Sequence, residues 1–341
     1  MKNIHIYIGI ILLLFGCKKE IGPQSVNPDE KGSGKLIVIN EGNFGFGNAS
    51  VSIYNPSTGE IANNQYRAAN GVGIGDVLQS VNRYQDRLYF VVNNSGKVVV
   101  TDTNLKLITE IPGFNSPRYI EFYGNKAFVT DLKQKAVYVV NLLNYQITNQ
   151  IPTQGWTEHI VLYQNRLYVM DRGDYLSNSG PNYIYEINPI SLIKEDSIQV
   201  GTNPNSMILD NNNLWVLSSG KGTIEKPKLQ RMNVLRDSID FSYTFPSYSD
   251  NPSRLCYDDV KDELYFINSS VYKVTNDTSS FNPILFFQKT TENFYGLSVI
   301  QGIIYATDAK NYNQSGDINI FNNDGLKINK VTSSIIPQLV R

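Results

Sequence analysis

Three observations predict an all-β chain folded as a seven-bladed β-propeller, with the C-terminal strand closing the first blade. The first is a recurring short apolar run: "LIVIN" from Leu36, "LYFVV" from Leu88, "AFVTD" from Ala127, "LYVMD" from Leu167, "LWVLS" from Leu214, "LYFIN" from Leu264 and "IYATD" from Ile304. These runs lie about 40 to 50 residues apart, the period of a four-stranded blade. The second is that each run is followed by a loop and an alternating strand, such as "VSIYN", "VVVTD" or "VYVVN". Six of them also follow a shorter apolar segment and a polar turn, as in "PRYIEFYGNKAFVTD". The third concerns the first unit, which lacks that leading segment. The C-terminal "IIPQLV" supplies it, lining up on its proline with "NSPRYI", "TNPNSM" and "DNPSRL". Set beside "LIVIN", it closes the ring and removes the open sheet edges that invite aggregation. Length alone would also allow a two-domain sandwich, which gives no reason for the last residues to complete the first unit.

The elements follow in order. Residues 1–17, "MKNIHIYIGIILLLFGC", place a lysine before an apolar run from Ile4 to Phe15. That run is shorter than the roughly 20 apolar residues a bilayer span needs and has the pattern of a signal peptide. Its end, "LFGC", resembles a bacterial lipobox, which implies cleavage before Cys17 and lipidation of Cys17, hence a membrane anchor. Residues 18–34 are polar and rich in Pro, Gly and Ser, too poor in apolar surface to fold, and read as a flexible tether. Residues 35–341 form the propeller. The second residues of the recurring runs, Tyr89, Phe128, Tyr168, Trp215, Tyr265 and Tyr305, share one blade position and are expected to pack between blades.

Strand order assigns the loops to faces. Loops from second to third strands share the top face with the blade-to-blade loops, and they are uneven in length. The long ones are "EGNFGFGNA" in blade one, "DRGDYLSNSGPN" in blade four, "SSGKGTIEKPK" in blade five and "DAKNYNQSGD" in blade seven. Long loops without structure of their own tend to be functional. Joined by blade-to-blade loops such as "RAANGVGIGD", "TQGWTEH" and "TENFYG", they carry Phe44, Phe46, Trp156, Tyr175, Tyr248, Phe294, Tyr295 and Tyr312. Such aromatics are favoured binding anchors. The candidate ligand-binding set adds Asn43, Asn48, Glu158, Asp171, Arg172 and Asp174. Within it, one of Phe44 and Phe46 is expected to tuck onto the blade while Phe44 faces out. One of Phe294 and Tyr295 is expected to pack.

A polar ring ends the second strands: Asn40, Asp131, Asp171, Ser218, Asn268 and Asp308, broken by Val92. Such a ring could hold a cation in the channel, or each member could cap its own turn through backbone N–H groups; the capping role is preferred. Little else suggests catalysis. His159 is the single histidine once His5 leaves with the signal, which excludes multi-His metal centres. No G-x-S-x-G elbow occurs. "GVGIGD" lacks the strand and helix of a dinucleotide fingerprint, and Cys256 occupies an apolar strand position. No catalytic residue, metal or cofactor is assigned, and the chain reads as a binding protein rather than an enzyme. Two rivals stand beside that reading: a carboxylate-dependent hydrolase or lyase using Asp131, Asp171, Asp308 and Glu158, and a protein-interaction scaffold. The net charge of −1 gives no basic face for nucleic acid.

The repeats "LYVMDRGD" and "AFVTDLKQKAVYVVN" are similar to those of YVTN-type seven-bladed propellers. The opening "LIVINEGNFGFGNASVSIYNPSTGEI" resembles the first blade of a family of propeller lipoproteins from Gram-negative bacteria, with its "NEG", aromatic-glycine loop and "NAS". The best understood members of that family are surface-exposed proteins that capture vitamin B12 (corrinoids). The resemblance implies a lipid-anchored outer-membrane protein, exposed at the cell surface. Its top face would take a small-molecule ligand, a corrinoid, and pass it to a TonB-dependent transporter.

Overall fold

The computed structural model describes residues 34–174, 182–210 and 212–341. Cys17, nearly all of the tether and Tyr175 lie outside the described residues. Seven four-stranded antiparallel sheets are arranged as blades. Blade one takes its inner strand from Pro337–Val340 and continues through Leu36–Asn40, Ser50–Asn55 and Glu60–Ala62. The inner strands of blades two to seven are Leu78–Tyr84, Pro117–Tyr123, Thr157–Tyr163, Pro204–Asp210, Ser253–Asp258 and Phe294–Ile300.

The recurring aromatics pack where the repeat requires. Tyr89, Phe128, Tyr168, Trp215, Tyr265 and Tyr305 are all buried, each against the neighbouring blade. Tyr89, for instance, meets Phe122 of blade three at 4.7 Å between ring centres. The apolar core is therefore a series of layers between blades, and a large aromatic fills the wedge that widens away from the axis. Buried Trp215 also satisfies its indole N–H, which donates to Asp210 Oδ2 at 2.7 Å.

Closure follows the sequence expectation. Val38, Ile39 and Asn40 pair with Val340, Leu339 and Pro337, and backbone bonds of 2.7 and 2.8 Å join Ile37 and Arg341. The closing strand is wedged against blade seven at Gly296, where an added Cβ would fall 1.7 Å from the Gln338 carbonyl oxygen. Gly296→Ala is accordingly expected to lower stability by about 1–3 kcal/mol, the ordinary cost of overpacking. A urea melt checks this, and an unchanged midpoint would contradict the close approach.

One element was not legible. The Arg67–Asp76 stretch, read as a loop, begins inside a short helix, Gln65–Asn70. Blade one has an outer strand of three residues, Glu60–Ala62, which leaves its face uncovered. The helix fills that gap by burying Tyr66 among Ile53, Ile74 and Phe90. It is the tertiary packing of one tyrosine, rather than helical periodicity, that holds so short a helix.

Candidate functional site

The inner strands converge on the axis, and all seven inner-strand ladders have a register break near their top. Such bulges turn a side chain away from the strict in-and-out alternation of a strand. Here they present one residue per blade to the channel mouth: Gln338, Gln79, Arg118, Glu158, Asn205, Ser253 and Tyr295 in blade order. These enclose a cavity of about 430 Å³, rimmed by Glu41, Arg172, Asn251, Phe294 and Tyr312. Beneath it a throat of about 100 Å³ is bounded by Tyr119, His159, Ser206 and Arg254. Lower still, a chamber of about 730 Å³ lined by residues such as Ile120, Ile160, Met207 and Leu255 continues toward the opposite face.

The mouth is a charge network. Glu158, buried at its wall, accepts from Arg118 Nε at 2.9 Å and from Arg172 Nη1 at 3.2 Å. Arg118 also donates to Gln79 Oε1 at 2.5 Å. Burial opposes the charge on Glu158, but the two guanidinium groups outweigh it and hold its pKa at about 2. Arg172 is aimed by its loop, since its N–H donates to the Trp156 carbonyl and the Trp156 N–H to that of Gly173. Across the mouth, the Tyr295 hydroxyl donates to Glu41 Oε2 at 2.6 Å. Tyr312 meets Tyr295 edge-on at 5.8 Å, and the Arg254 guanidinium lies 5.0 Å over the Tyr295 ring. In the throat, His159 stacks on Tyr119 at 4.1 Å. Burial, reinforced by the nearby arginines against the pull of Glu158, lowers its pKa to about 4, so the imidazole is neutral at neutral pH.

Of the residues singled out from sequence, Glu158, Arg172, Tyr295 and Tyr312 line the mouth, as does Phe294. The last packs on Phe287 with ring centres 5.9 Å apart, so it serves both the blade and the mouth. Asn43 and Asn48 brace their loop internally, the Asn43 N–H donating to Asn48 Oδ1 at 2.7 Å, and Asn43 Nδ2 ties it to blade seven by donating to the Tyr312 carbonyl. The expectation that one of Phe44 and Phe46 tucks onto the blade fails. They are 70% and 77% exposed, because Gly45 between them and Gly42 and Gly47 on either side hold left-handed backbone and lift the loop tip off the blade. Trp156, Asp174 and Tyr248 lie outside the mouth lining; Lys135 reaches Asp174 at 3.5 Å, and Lys226 sits 5.3 Å over the Tyr248 ring. Cys256 is half-buried rather than fully enclosed, with Sγ directed at the Tyr265 carbonyl and its thiol pKa pushed up by burial.

The carboxylates of the polar ring cap turns, whereas Asn40 bonds Ser50, Ser52 and Ser333 and Ser218 Oγ has no hydrogen-bond partner among the described residues. Asp131 Oδ2 accepts the N–H groups of Asn115 and Ser116 at 2.9 and 2.8 Å. Asp171 takes those of Gly155 and Gly173, and Asp308 those of Asn293 and Lys310. Each carboxylate thus ties the incoming blade-to-blade loop to its own strand end. Among the described residues no cluster of His, Cys, Asp and Glu is placed to hold a metal ion. Sequence reasoning missed Gln79, Arg118, Asn205, Ser253, Arg254 and Gln338. Five of these directly follow the recurring proline or lie two residues beyond it, in "PRYI", "PNSM", "PSRL" and "PQLV". A polar residue at that fixed place in an apolar strand was the available signal.

A family described as a domain of unknown function (DUF5074) matches residues 33–334. No curated protein matches the chain. Among solved structures, it is similar to a quinonprotein alcohol dehydrogenase-like protein of Bacteroides thetaiotaomicron, at 12% identity over 90% of this chain and 78% of that one, TM-score 0.69. It is also similar to AztD of Citrobacter koseri, at 10% identity over 90% and 97%, TM-score 0.59. A third likeness is to BamB of Moraxella catarrhalis, at 13% identity over 86% and 81%, TM-score 0.56. At these identities the likeness shows the fold.

Proposed function

We propose that this chain, which belongs to the DUF5074 family, is a lipid-anchored outer-membrane binding protein whose channel mouth captures a ligand. A corrinoid is the leading ligand, and a TonB-dependent transporter the recipient. The observation that carries the reading is the convergence of one polar or aromatic side chain from each inner strand on a single open cavity. Specific ligand sites place a few convergent polar groups in a concavity in this way. A corrinoid is a flat ring fringed with amides, and the amides of Gln79, Asn205, Asn251 and Gln338 with the guanidinium groups of the wall match such a fringe. At about 430 Å³ the cavity admits the edge of so large a ligand. The rest would lie across the rim, beside the first-blade loop that Asn43 pins to Tyr312 and that bears Phe44 and Phe46. The chain enters the ring at Leu36, at the strand end opposite the mouth, so an upstream tether would leave the mouth facing away from the anchoring membrane.

Calorimetric titration of residues 34–341 with cyanocobalamin and with dicyanocobinamide tests this. Binding at 1:1 with a Kd of about 1 μM or tighter is expected, weakened about tenfold by Tyr295→Ala, which removes an aromatic anchor. Absence of heat with both corrinoids would remove the corrinoid assignment.

A further inference from the structure

We propose that the throat beneath the mouth is an oxyanion subsite, in which Arg254 receives a carboxylate or phosphate group carried by the ligand. The proposal rests on the capture reading only in placing the ligand at this mouth. Its first support is how the charges of the mouth are distributed. Arg118 and Arg172 are both engaged by Glu158, and Glu41 accepts from the Tyr295 hydroxyl. Arg254 is different: among the described residues its guanidinium meets the face of Tyr295 and pairs with no carboxylate. A guanidinium is a planar array of donors suited to two-point pairing with an oxyanion, and here that capacity is open.

The second support is placement. Arg254 borders both the mouth and the throat, and its charge is felt at Tyr119, His159 and Tyr295, which come from three different blades. Its backbone is left-handed, φ 58°, within the register break of blade six. A non-glycine residue held there is strained, and such strain concentrates at binding sites.

The third support is what surrounds it. His159 Nδ1 is buried without a hydrogen-bond partner, and the Ser206 hydroxyl and the side chains of Gln79 and Gln338 complete the wall. A neutral imidazole and amides can donate to an anion, as can the Ser206 hydroxyl once it turns from Asn205 Oδ1, to which it donates at 3.0 Å. At about 100 Å³ against about 430 Å³ for the mouth, the throat suits a charged arm better than the bulk of a ligand. The subsite would thus select ligands by a charged arm while the rim receives their bulk.

The test uses residues 34–341 with inorganic phosphate, acetate and malonate as probes and with trimethyl phosphate as the uncharged control, read by calorimetry and by the shift in melting temperature. At least one oxyanion is expected to bind with a millimolar or tighter Kd while trimethyl phosphate does not bind. Which of phosphate and the carboxylates binds tighter identifies the arm. Arg254→Gln is expected to weaken that binding at least tenfold and Arg254→Lys to retain part of it, with both variants checked for wild-type circular dichroism. Ser206→Leu, which fills the throat from the neighbouring blade, is expected to have the same effect and serves if the Arg254 variants fold poorly. No response to any oxyanion, or equal binding by wild type, Arg254→Gln and Ser206→Leu, overturns the subsite. Corrinoid binding without oxyanion binding would sink the subsite alone. Oxyanion binding without corrinoid binding would support the subsite and sink the corrinoid assignment alone.

Discussion

Deleting residues 337–341 is expected to abolish the folded monomer. The deletion strips the inner strand from blade one and leaves Leu36–Asn40 with a bare ladder edge. It also removes Pro337, Leu339 and Val340 from the layers on both sides, including Val340 from its contact with Tyr305 and Val38. At about 1.5–3 kcal/mol per buried apolar side chain, the loss is at least about 5 kcal/mol, comparable with the whole stability of many domains. The expected result is insoluble protein, or a melting temperature lowered by more than about 10 °C. A truncated protein melting within about 3 °C of the full chain would show that blade one does not depend on its closing strand.

The second large effect concerns Glu158. Glu158→Ala leaves Arg118 and Arg172 facing each other across the space that their shared carboxylate occupied. Removing one partner of a buried ionic cluster costs about 3–5 kcal/mol, whereas removing every member can be nearly neutral. The single variant should therefore be much less stable than the triple variant Glu158→Ala/Arg118→Ala/Arg172→Ala. Equal urea midpoints for the two would dismiss the network as a source of stability.

The same network sets an acid limb. Because the folded pKa of Glu158 is about 2 against an ordinary 4.5, its contribution is fully present above about pH 4.5 and is lost as pH falls toward 2. It amounts to about 3 kcal/mol over that window. Glu292, whose pKa is also held at about 2, titrates in the same range. The informative quantity is thus the difference between wild type and Glu158→Ala, which should narrow as the solution is acidified.

The blades were legible because their signal is repeated. An aromatic at one place in each unit must fill the same wedge, and the proline of "IIPQLV" falls in register with those of other inner strands. The site was half legible. The long second-to-third-strand loops pointed to Arg172 and Tyr312, and the blade-to-blade loops to Glu158 and Tyr295. The same reasoning could not tell which loop residues turn inward. Asn48 spends its amide on the loop itself and Asn43 divides its amide between the loop and the Tyr312 carbonyl, the usual competition of short polar side chains for backbone groups. Phe44 and Phe46 follow left-handed glycines whose direction composition does not encode. Arg118 and Arg254 were hidden for another reason. They sit in strands that read as core, and only the register breaks swing them onto the axis.

Closure also has a consequence in time. The strand Leu36–Asn40 is made first and its partner Pro337–Val340 last, about 300 residues later, a separation whose entropic cost grows only slowly with length. The cost is one of waiting. While the chain emerges from the ribosome, six blades can complete themselves from contiguous sequence, but the first must stand three-stranded until Pro337–Val340 is made. A chain cut before Pro337 is then a nearly finished molecule with one adhesive edge.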